Sequence, residues 1–370
     1  MRVALDVGPI KPKPAGVGLY VDSLASALPE FLTIDELAFI GHREDAPAPP
    51  PGYPTIMRPS RLPYPVWVEL LAARDAKGAG ADIVHYTDGL VPPIRHGRSV
   101  VTVLDLSMVR HWRSHRAIRY PRIPLVLVAP WLANRVVVPS TATADEVMAL
   151  TRYPAARIDV IPLAGRPDAR PATADQVART VEGLGLVRNR YILALGTIEP
   201  RKNHLRLIRA FESLAKRHAI ADDIQLVLAG GLGWGHGAVT RAIEESAIKD
   251  RIKLLGYVSE TDLPPLLTGA AVVPYVSLYE GFGLPVLEAM ACGAPVVTSS
   301  VSSMPEVAGD AAVLVDPYDV EAIADAIQQA LSLDPAARAR AIRAGSARAE
   351  SFSWSNVARL TSATYRVLDR

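Results

Sequence analysis

The chain carries a single cysteine, Cys292, in 370 residues, which excludes an internal disulfide framework and suits a reducing compartment. Alone, Cys292 reads as a small buried residue on a helix. Strong net charge is also missing, since the formal charge of +2 is too small to indicate a nucleic-acid partner. No apolar run is long enough to cross a bilayer: the most apolar stretch, Ile123 to Pro139, is interrupted by Pro130 and Asn134-Arg135 and falls short of the ~20 residues a span needs. Any membrane contact is therefore expected to be peripheral. The opening Met1-Arg2-Val3-Ala4-Leu5-Asp6-Val7 reads as a strand, which leaves no room for a signal peptide and points to the cytoplasm. Acidic residues are absent from Leu106 to Ala144, where Arg110, Arg113, Arg116, Arg119 and Arg122 fall at every third position with Trp112 and Tyr120 among them. On a helix a step of three drifts by about 60° each time, so these arginines would spread around the cylinder. They make either a surface for anionic headgroups or a pyrophosphate-linked lipid, or an ordinary solvated face.

What is present is ample apolar material, 49% of the residues, enough for two domains with separate cores. Short apolar runs alternate with amphipathic stretches, the pattern of parallel sheets covered by helices on both faces. The expected strands are Val3–Val7, Ile83–His85, Val100–Leu104, Val136–Val138 and Ile158–Ile161 in the first half. In the second they are Tyr191–Leu195, Gln225–Ala229, Ile252–Leu255, Ala271–Pro274, Pro295–Thr298 and Ala312–Val315. Between the sets, Gly165 to Arg190 reads as a connection with one short helix. From Asn203 to His218, Leu205, Ile208, Phe211 and Leu214 recur at helical spacing. No solenoid repeat is visible, and the proline-rich run Ala46 to Pro54 reads as a surface loop. The fold class is thus α/β, with two doubly wound parallel-sheet domains expected over residues 1–165 and 166–353 and a ligand cleft between the carboxyl ends of their strands.

The loops after the strands are where chemistry is expected. Glu280-Gly281-Phe282-Gly283-Leu284-Pro285-Val286-Leu287-Glu288 runs from a loop into a helix. Its glycines admit a close ligand, Pro285 suits a first helical turn, and the free N–H groups of that turn face an anion. The segment reads as an anion site with one carboxylate beside it and another inside the helix, equipment for a nucleotide diphosphate attached to a hydroxylated group. After Tyr191–Leu195, Gly196 is followed by Arg201 and Lys202 at the start of the next helix. Cations there oppose the helix dipole, and a bound diphosphate would reverse the sign of that interaction. Ala15-Gly16-Val17-Gly18-Leu19-Tyr20 is a glycine-rich strand-to-helix turn without the third glycine of a dinucleotide fingerprint or the Lys-Ser/Thr of a P-loop. It reads as phosphate contact or as packing. His85-Tyr86-Thr87-Asp88 and Leu104-Asp105-Leu106-Ser107 point at the cleft from the first half. His85 and Asp88 are candidates for holding an acceptor, although a lone histidine there is as readily structural and Asp105 as readily a cap.

These motifs, with Gly256-Tyr257-Val258 and Ser303-Met304-Pro305-Glu306-Val307-Ala308-Gly309-Asp310, resemble those of the retaining GT-B glycosyltransferases of family GT4, specifically the bacterial mannosyltransferase-like branch that builds surface polysaccharides. The resemblance covers nearly the whole chain. It implies two Rossmann-like domains facing across a cleft, an acceptor domain and a nucleotide-sugar donor domain, with a C-terminal helix over 354–370 crossing back to the first. It implies that Arg201 and Lys202 neutralise the donor diphosphate without a metal, that Gly16 and Gly18 close over it, and that Gly196 belongs to the same loop set. It also implies that Glu288 holds the ribose, that Val258 lies near the base, and that Glu280 with the backbone of Gly281, Phe282, Gly283 and Leu284 holds the donor sugar. Glu280 and Asp105 become the catalytic candidates. No cofactor is implied, since the nucleotide sugar is a substrate.

One departure stands out. Where the family commonly has His-Asp, this chain has Leu104-Asp105, and leucine neither donates nor accepts a proton. Front-face displacement can use the leaving phosphate as base, so activity is still implied. The expected reaction is transfer of a hexose, mannose from GDP-mannose, to a lipid-linked or oligosaccharide acceptor. UDP-glucose or another nucleotide sugar is the alternative donor, and a non-catalytic nucleotide-sugar-binding subunit or an epimerase are the alternative functions.

Overall fold

The computed structural model describes residues 1–10, 16–42, 49–58, 62–110 and 122–370. Ala15, Trp112, Arg113, Arg116, Arg119, Tyr120 and the first part of the proline-rich run (46–48) lie outside the described residues. The chain forms two compact units, one taking in the N-terminal part through Leu163 together with Ser353–Arg370, the other Ala164–Phe352.

In the first unit, strands β1 (Val3–Asp6), β2 (Leu37–Gly41), β3 (Thr55–Met57), β4 (Ile83–Tyr86), β5 (Arg98–Thr102), β6 (Arg135–Val138) and β7 (Ile158–Val160) form one sheet in the order β3-β2-β1-β4-β5-β6-β7. All its pairings are parallel. Helices bury both faces, which is why β1, β2 and β4 are buried along their length. Two of these strands are absent from the sequence reading. Leu37–Gly41 is a fully buried apolar run that follows Asp35-Glu36 directly, and Thr55–Met57 is a short edge strand after Pro54, a place where proline is tolerated. The apolar stretch from Ile123 resolves into a helix, Arg122–Leu132, that contains Pro130, followed by β6. Among the described residues no helix is long and apolar enough to cross a membrane.

In the second unit, β8 (Tyr191–Leu195), β9 (Gln225–Ala229), β10 (Ile252–Gly256), β11 (Val273–Tyr275), β12 (Val296–Ser299) and β13 (Val313–Val315) form two parallel sheets, β10-β9-β8 and β11-β12-β13. A parallel bridge between Ile192 and Val272, with Leu193 N–H donating to Val272 O at 3.0 Å, stitches β8 to β11. The resulting order, β10-β9-β8-β11-β12-β13, reverses direction at β8 and β11, the doubly wound pattern. The connection from Gly165 carries one helix, Ala174–Gly183, opened by a Thr173/Gln176 capping box. The helix His204–Lys216 buries Leu207, Ile208, Phe211 and Leu214. Its stripe is rotated from the expected one, with Leu207 in the core and Leu205 only half-buried.

The last helix, Trp354–Asp369, packs on the Val17–Ala27 helix of the first unit, with Trp354 6.3 Å from the Tyr20 ring. It also reaches His85. That residue lies in β4, within the expected strand Ile83–His85, and is fully buried with both ring nitrogens satisfied: Nδ1 lies 2.6 Å from the Tyr365 hydroxyl and Nε2 2.7 Å from Thr102 Oγ1. Burial pushes its pKa down to about 3, so it stays neutral. Tyr365→Phe should leave Nδ1 unpaired and cost about 1–3 kcal/mol; calorimetry should show the unfolding midpoint of the first unit falling by a few degrees, and an unchanged midpoint would contradict this account of His85.

Candidate active site

The site in the second unit starts where β8 ends. The chain leaves the sheet at Gly196, whose φ of +121° is open to glycine, and a Cβ there would lie 3.3 Å from Lys202 Cε. The Lys202 stem therefore lies along the glycine face. The loop after β9 presses on the same place, since a Cβ on Gly230 would come within 2.0 Å of Gly196 O. Pro200–Lys202 forms a single tight turn closed by Asn203 in the left-handed region. The Asn203 amide donates to Val276 O at 3.0 Å and Pro317 O at 2.7 Å, and Leu278 N–H donates to Arg201 O at 2.9 Å. These bonds bring Arg201 and Lys202 to the loop that follows β11.

That loop carries Glu280, whose backbone is gripped by two serines. Ser302 Oγ accepts from Glu280 N–H at 3.1 Å and donates to Glu280 O at 2.6 Å, and Ser303 Oγ donates to Phe282 O at 2.6 Å. The buried carboxylate then collects donors: Lys202 Nζ at 2.7 Å and Tyr275 OH at 2.8 Å on Oε1, Arg201 Nη1 at 2.5 Å on Oε2. Arg201 also donates to Glu199 Oε1 at 2.8 Å and to Tyr279 O at 2.9 Å. Burial pushes the Glu280 carboxyl up, but Lys202 and Arg201 together outweigh it and hold the pKa at about 2. Burial likewise lowers the Lys202 pKa against the opposing pull of Glu280. A carboxylate this acidic is a poor proton shuttle near neutrality. Its chemistry is that of a permanent hydrogen-bond acceptor and negative charge.

Gly283, with φ +119°, caps the helix Leu284–Ala291, and a Cβ there would lie 2.4 Å from Met304 Cε. Gly281 and Phe282 are buried, and the Phe282 ring meets Phe352 edge to face at 5.8 Å. Phe282 thus contributes backbone to the site and its ring to the core. Glu288 lies one turn further into this helix, buried, and burial raises its pKa to about 7 despite Arg166. Arg166 Nε is 3.6 Å from Glu288 Oε1, while the rest of its guanidinium donates to Glu260 Oε1 at 2.8 Å and 3.0 Å. The sequence reading misses Arg166. No local pattern marks it, since both carboxylates are remote in the chain. Through Glu260 it ties the loop after β10, which contains the half-buried Val258, to Glu288.

The structure thus gathers Gly196, Arg201, Lys202, Glu280, Gly281, Phe282, Gly283, Leu284 and Glu288 on the carboxyl side of one sheet, with Val258 linked through Arg166. The remaining candidates belong to the first unit. Gly16, at φ +54°, caps the Val17–Ala27 helix, within which Gly18 is buried. Asp88 pairs with Arg122 at 2.9 Å. Asp105 is exposed and accepts from Ser107 N–H and Oγ at 3.0 Å and 2.7 Å, a local cap, and Leu104 beside it is half-buried.

The family described as "Glycosyl transferases group 1" matches residues 182–348, the span that holds most of this geometry. O-antigen chain mannosyltransferase B of Escherichia coli is 32% identical to this chain, and the alignment covers 100% of both. Among solved structures, sucrose-phosphate synthase from Thermosynechococcus elongatus superposes with a TM-score of 0.76 at 24% identity, covering 99% of this chain and 98% of that one. WaaG, a glycosyltransferase involved in lipopolysaccharide biosynthesis, superposes with a TM-score of 0.72 at 16% identity over 98% of each. The chain belongs to the group 1 glycosyltransferases, GT4-like proteins of GT-B fold.

Proposed function

We propose that the protein transfers mannose from GDP-mannose to a lipid-linked or oligosaccharide acceptor in surface polysaccharide synthesis, with retention and without a metal. The observation that carries this reading is full-length similarity to an O-antigen chain mannosyltransferase. The site supports it chemically. Arg201 and Lys202 are two cations held at the end of a strand, next to a helix N-terminus, where a diphosphate would find both charge and N–H donors. Glu280 is ionised at any working pH and suits sugar hydroxyls, and Glu288 suits the ribose. In this reading the acceptor oxygen bonds to the anomeric carbon on the face the diphosphate leaves, and the bond from that carbon to the phosphate oxygen breaks. The acceptor proton passes to the departing phosphate, which leaves no proton-transfer role for Leu104.

A donor panel tests this. GDP-mannose should be turned over faster than UDP-glucose or other nucleotide sugars, and binding without any transfer would favour the non-catalytic alternative. On the same substrate Glu280→Gln should lower transfer about 100-fold, the scale of losing one strong site contact, while leaving GDP affinity unchanged or higher because the cations are released. Arg201→Ala should weaken both. Equal loss of GDP affinity in the two variants would contradict the sugar role of Glu280.

A pH series tests Glu288. Its folded pKa, about 7, is raised, so without ligand the carboxyl is protonated below that pH. Ribose hydroxyls that donate to it favour the ionised form, so GDP-mannose affinity should rise as pH climbs through about 7. Titration calorimetry on Glu288→Gln should show a flat profile; an unchanged slope in that variant would rule the residue out.

The reading extends to a cytoplasmic protein in peripheral contact with anionic lipid. Leu125, Val128 and Trp131 lie at three-residue spacing on the Arg122–Leu132 helix and are exposed, Trp131 by 55%. Exposed Ile94 adjoins Arg95, which donates to Leu132 O, and the chain from Leu106 to Ala144 has no acid to repel an anionic surface. Co-sedimentation with phosphatidylglycerol vesicles should be reduced by Trp131→Ser; sedimentation equal to that on neutral vesicles would argue against contact.

A further inference from the structure

Arg166 stands between two carboxylates and treats them unequally. The backbone that carries it passes directly over the helix Leu284–Ala291: a Cβ on Gly165 would lie 3.8 Å from Leu287 Cβ and 4.0 Å from Glu288 Cγ. Yet Arg166 does not close on Glu288. Its Nη1 and Nη2 both donate to Glu260 Oε1, at 3.0 Å and 2.8 Å, and only Nε faces Glu288, at 3.6 Å. Glu260 is held for this in a tight turn after β10, where Ser259 Oγ donates to Asp262 Oδ2 at 2.6 Å and Leu263 N–H donates to Ser259 O at 3.1 Å. The more exposed carboxylate, with 44% of its side chain accessible against 9% for Glu288, thus takes the hydrogen bonds, and the buried one receives only the field of the charge.

A carboxylate gripped by a bidentate guanidinium has few lone pairs left for a ligand. Glu280, with three donors on it, is close to that state. Glu288 is not, since among the described residues Arg166 is its one ion-pair partner and no hydrogen bond reaches its carboxyl. The other groups acting on it are Asp168, in the same connection as Arg166, and the Cys292 thiol at the end of its own helix, which burial keeps protonated. Of the elements packed on that helix, Leu263–Thr268 carries no charge, and β11 and β12 carry only Tyr275, which bonds to Glu280. Met304–Ala308 carries Glu306. On Pro335–Glu350, Arg338 and Arg348 donate to backbone carbonyls, and Arg340, Arg343 and Glu350 are exposed. Control of Glu288 therefore falls to Arg166 and the acid that shares it.

We propose that Arg166 and Glu260 are positioning residues of the donor site: Glu260 draws the Arg166 guanidinium off Glu288 and so leaves that carboxylate's oxygens open to the hydroxyls of a ribose. The proposal rests on the reading of Glu288 as the ribose residue. Its geometry has an electrostatic consequence. Glu288 keeps a cation at 3.6 Å but no hydrogen bond from it, and burial then holds its pKa at about 7. Arg166 pulls that value down and Glu260 pushes it up, so the two residues act in opposite senses on one group. A link that served only to tie the loop after β10 to the helix would make the loss of either partner equivalent.

The test is a carboxyl-carbon NMR titration of Glu288 on the full chain without ligand, the signal being assigned by its loss in Glu288→Gln, with GDP-mannose affinity measured over the same pH range. Arg166→Met should move the midpoint up from about 7 by about one unit or more, the scale for losing a neighbouring opposite charge. Glu260→Ala should move it down, because a like charge is removed and Arg166 is released to Glu288. Arg166→Lys, which keeps the charge, should hold it near about 7. A one-unit rise leaves about a tenth of the carboxyls ionised at pH 7 instead of about half, so Arg166→Met should bind GDP-mannose about fivefold more weakly there and recover by about pH 9. Glu260→Ala should bind it more tightly at pH 7. Midpoints that stay put, or that move the same way in folded Arg166→Met and Glu260→Ala, would overturn the proposal. Midpoints that separate as stated while GDP-mannose affinity follows neither would keep the division of Arg166 between two carboxylates and sink the ribose role of Glu288 instead.

Discussion

The carboxylate of Glu280 is buried between Arg201 and Lys202, and the local fold of the second unit depends on that contact. Two cations at the start of a helix oppose its dipole and would repel each other if left alone. Glu280 supplies the compensating charge, and Glu199 on the far side of Arg201 completes the balance. Removing one partner from such a buried set costs about 3–5 kcal/mol, so the cluster is tightly specified once formed. The surrounding details serve its geometry: Asn203 clamps the cationic turn, and Ser302 and Ser303 clamp the acidic loop. The cations are thereby set in place ahead of any ligand, which reduces the ordering that binding has to impose.

The same contact explains why two glutamates in one short motif differ so much. Glu280 meets two cations and stays ionised to about pH 2, whereas Glu288 meets one, shared with Glu260, and titrates at about 7. Position on the sheet matters as much as identity. Both units reverse strand order at one point, and each has a buried polar cluster beside it. In the second unit the cluster sets two cations against two carboxylates. In the first, buried Asp6 accepts from Tyr64 and Gly8, and Arg122 pairs with Asp88.

Much of this was legible in the sequence because central parallel strands are apolar runs and the loops that follow them carry glycine and charge at short spacing. Val3, Tyr191 and Gln225 could be read as strand starts for that reason. Leu37–Gly41 and Thr55–Met57 were not, one crowded against acids and the other cut by prolines. The burial of His85 was out of reach for a more basic reason: a polar residue at the end of a strand looks available to a ligand unless its partners are known, and Tyr365 comes from the far end of the chain. Arg166 was invisible on the same grounds, and so was the pairing of Asp6 with Tyr64. Local pattern reports which elements exist; contacts between remote residues decide which polar side chains face a ligand and which are consumed by the core.

The account's central claim is that the Arg201–Lys202–Glu280 cluster receives the donor diphosphate. A structure determined with GDP-mannose bound tests it most directly. Diphosphate oxygens within hydrogen-bonding distance of Arg201 and Lys202, with a ribose hydroxyl on Glu288, is the predicted result; a diphosphate seated elsewhere, with neither cation in contact with it, would contradict it.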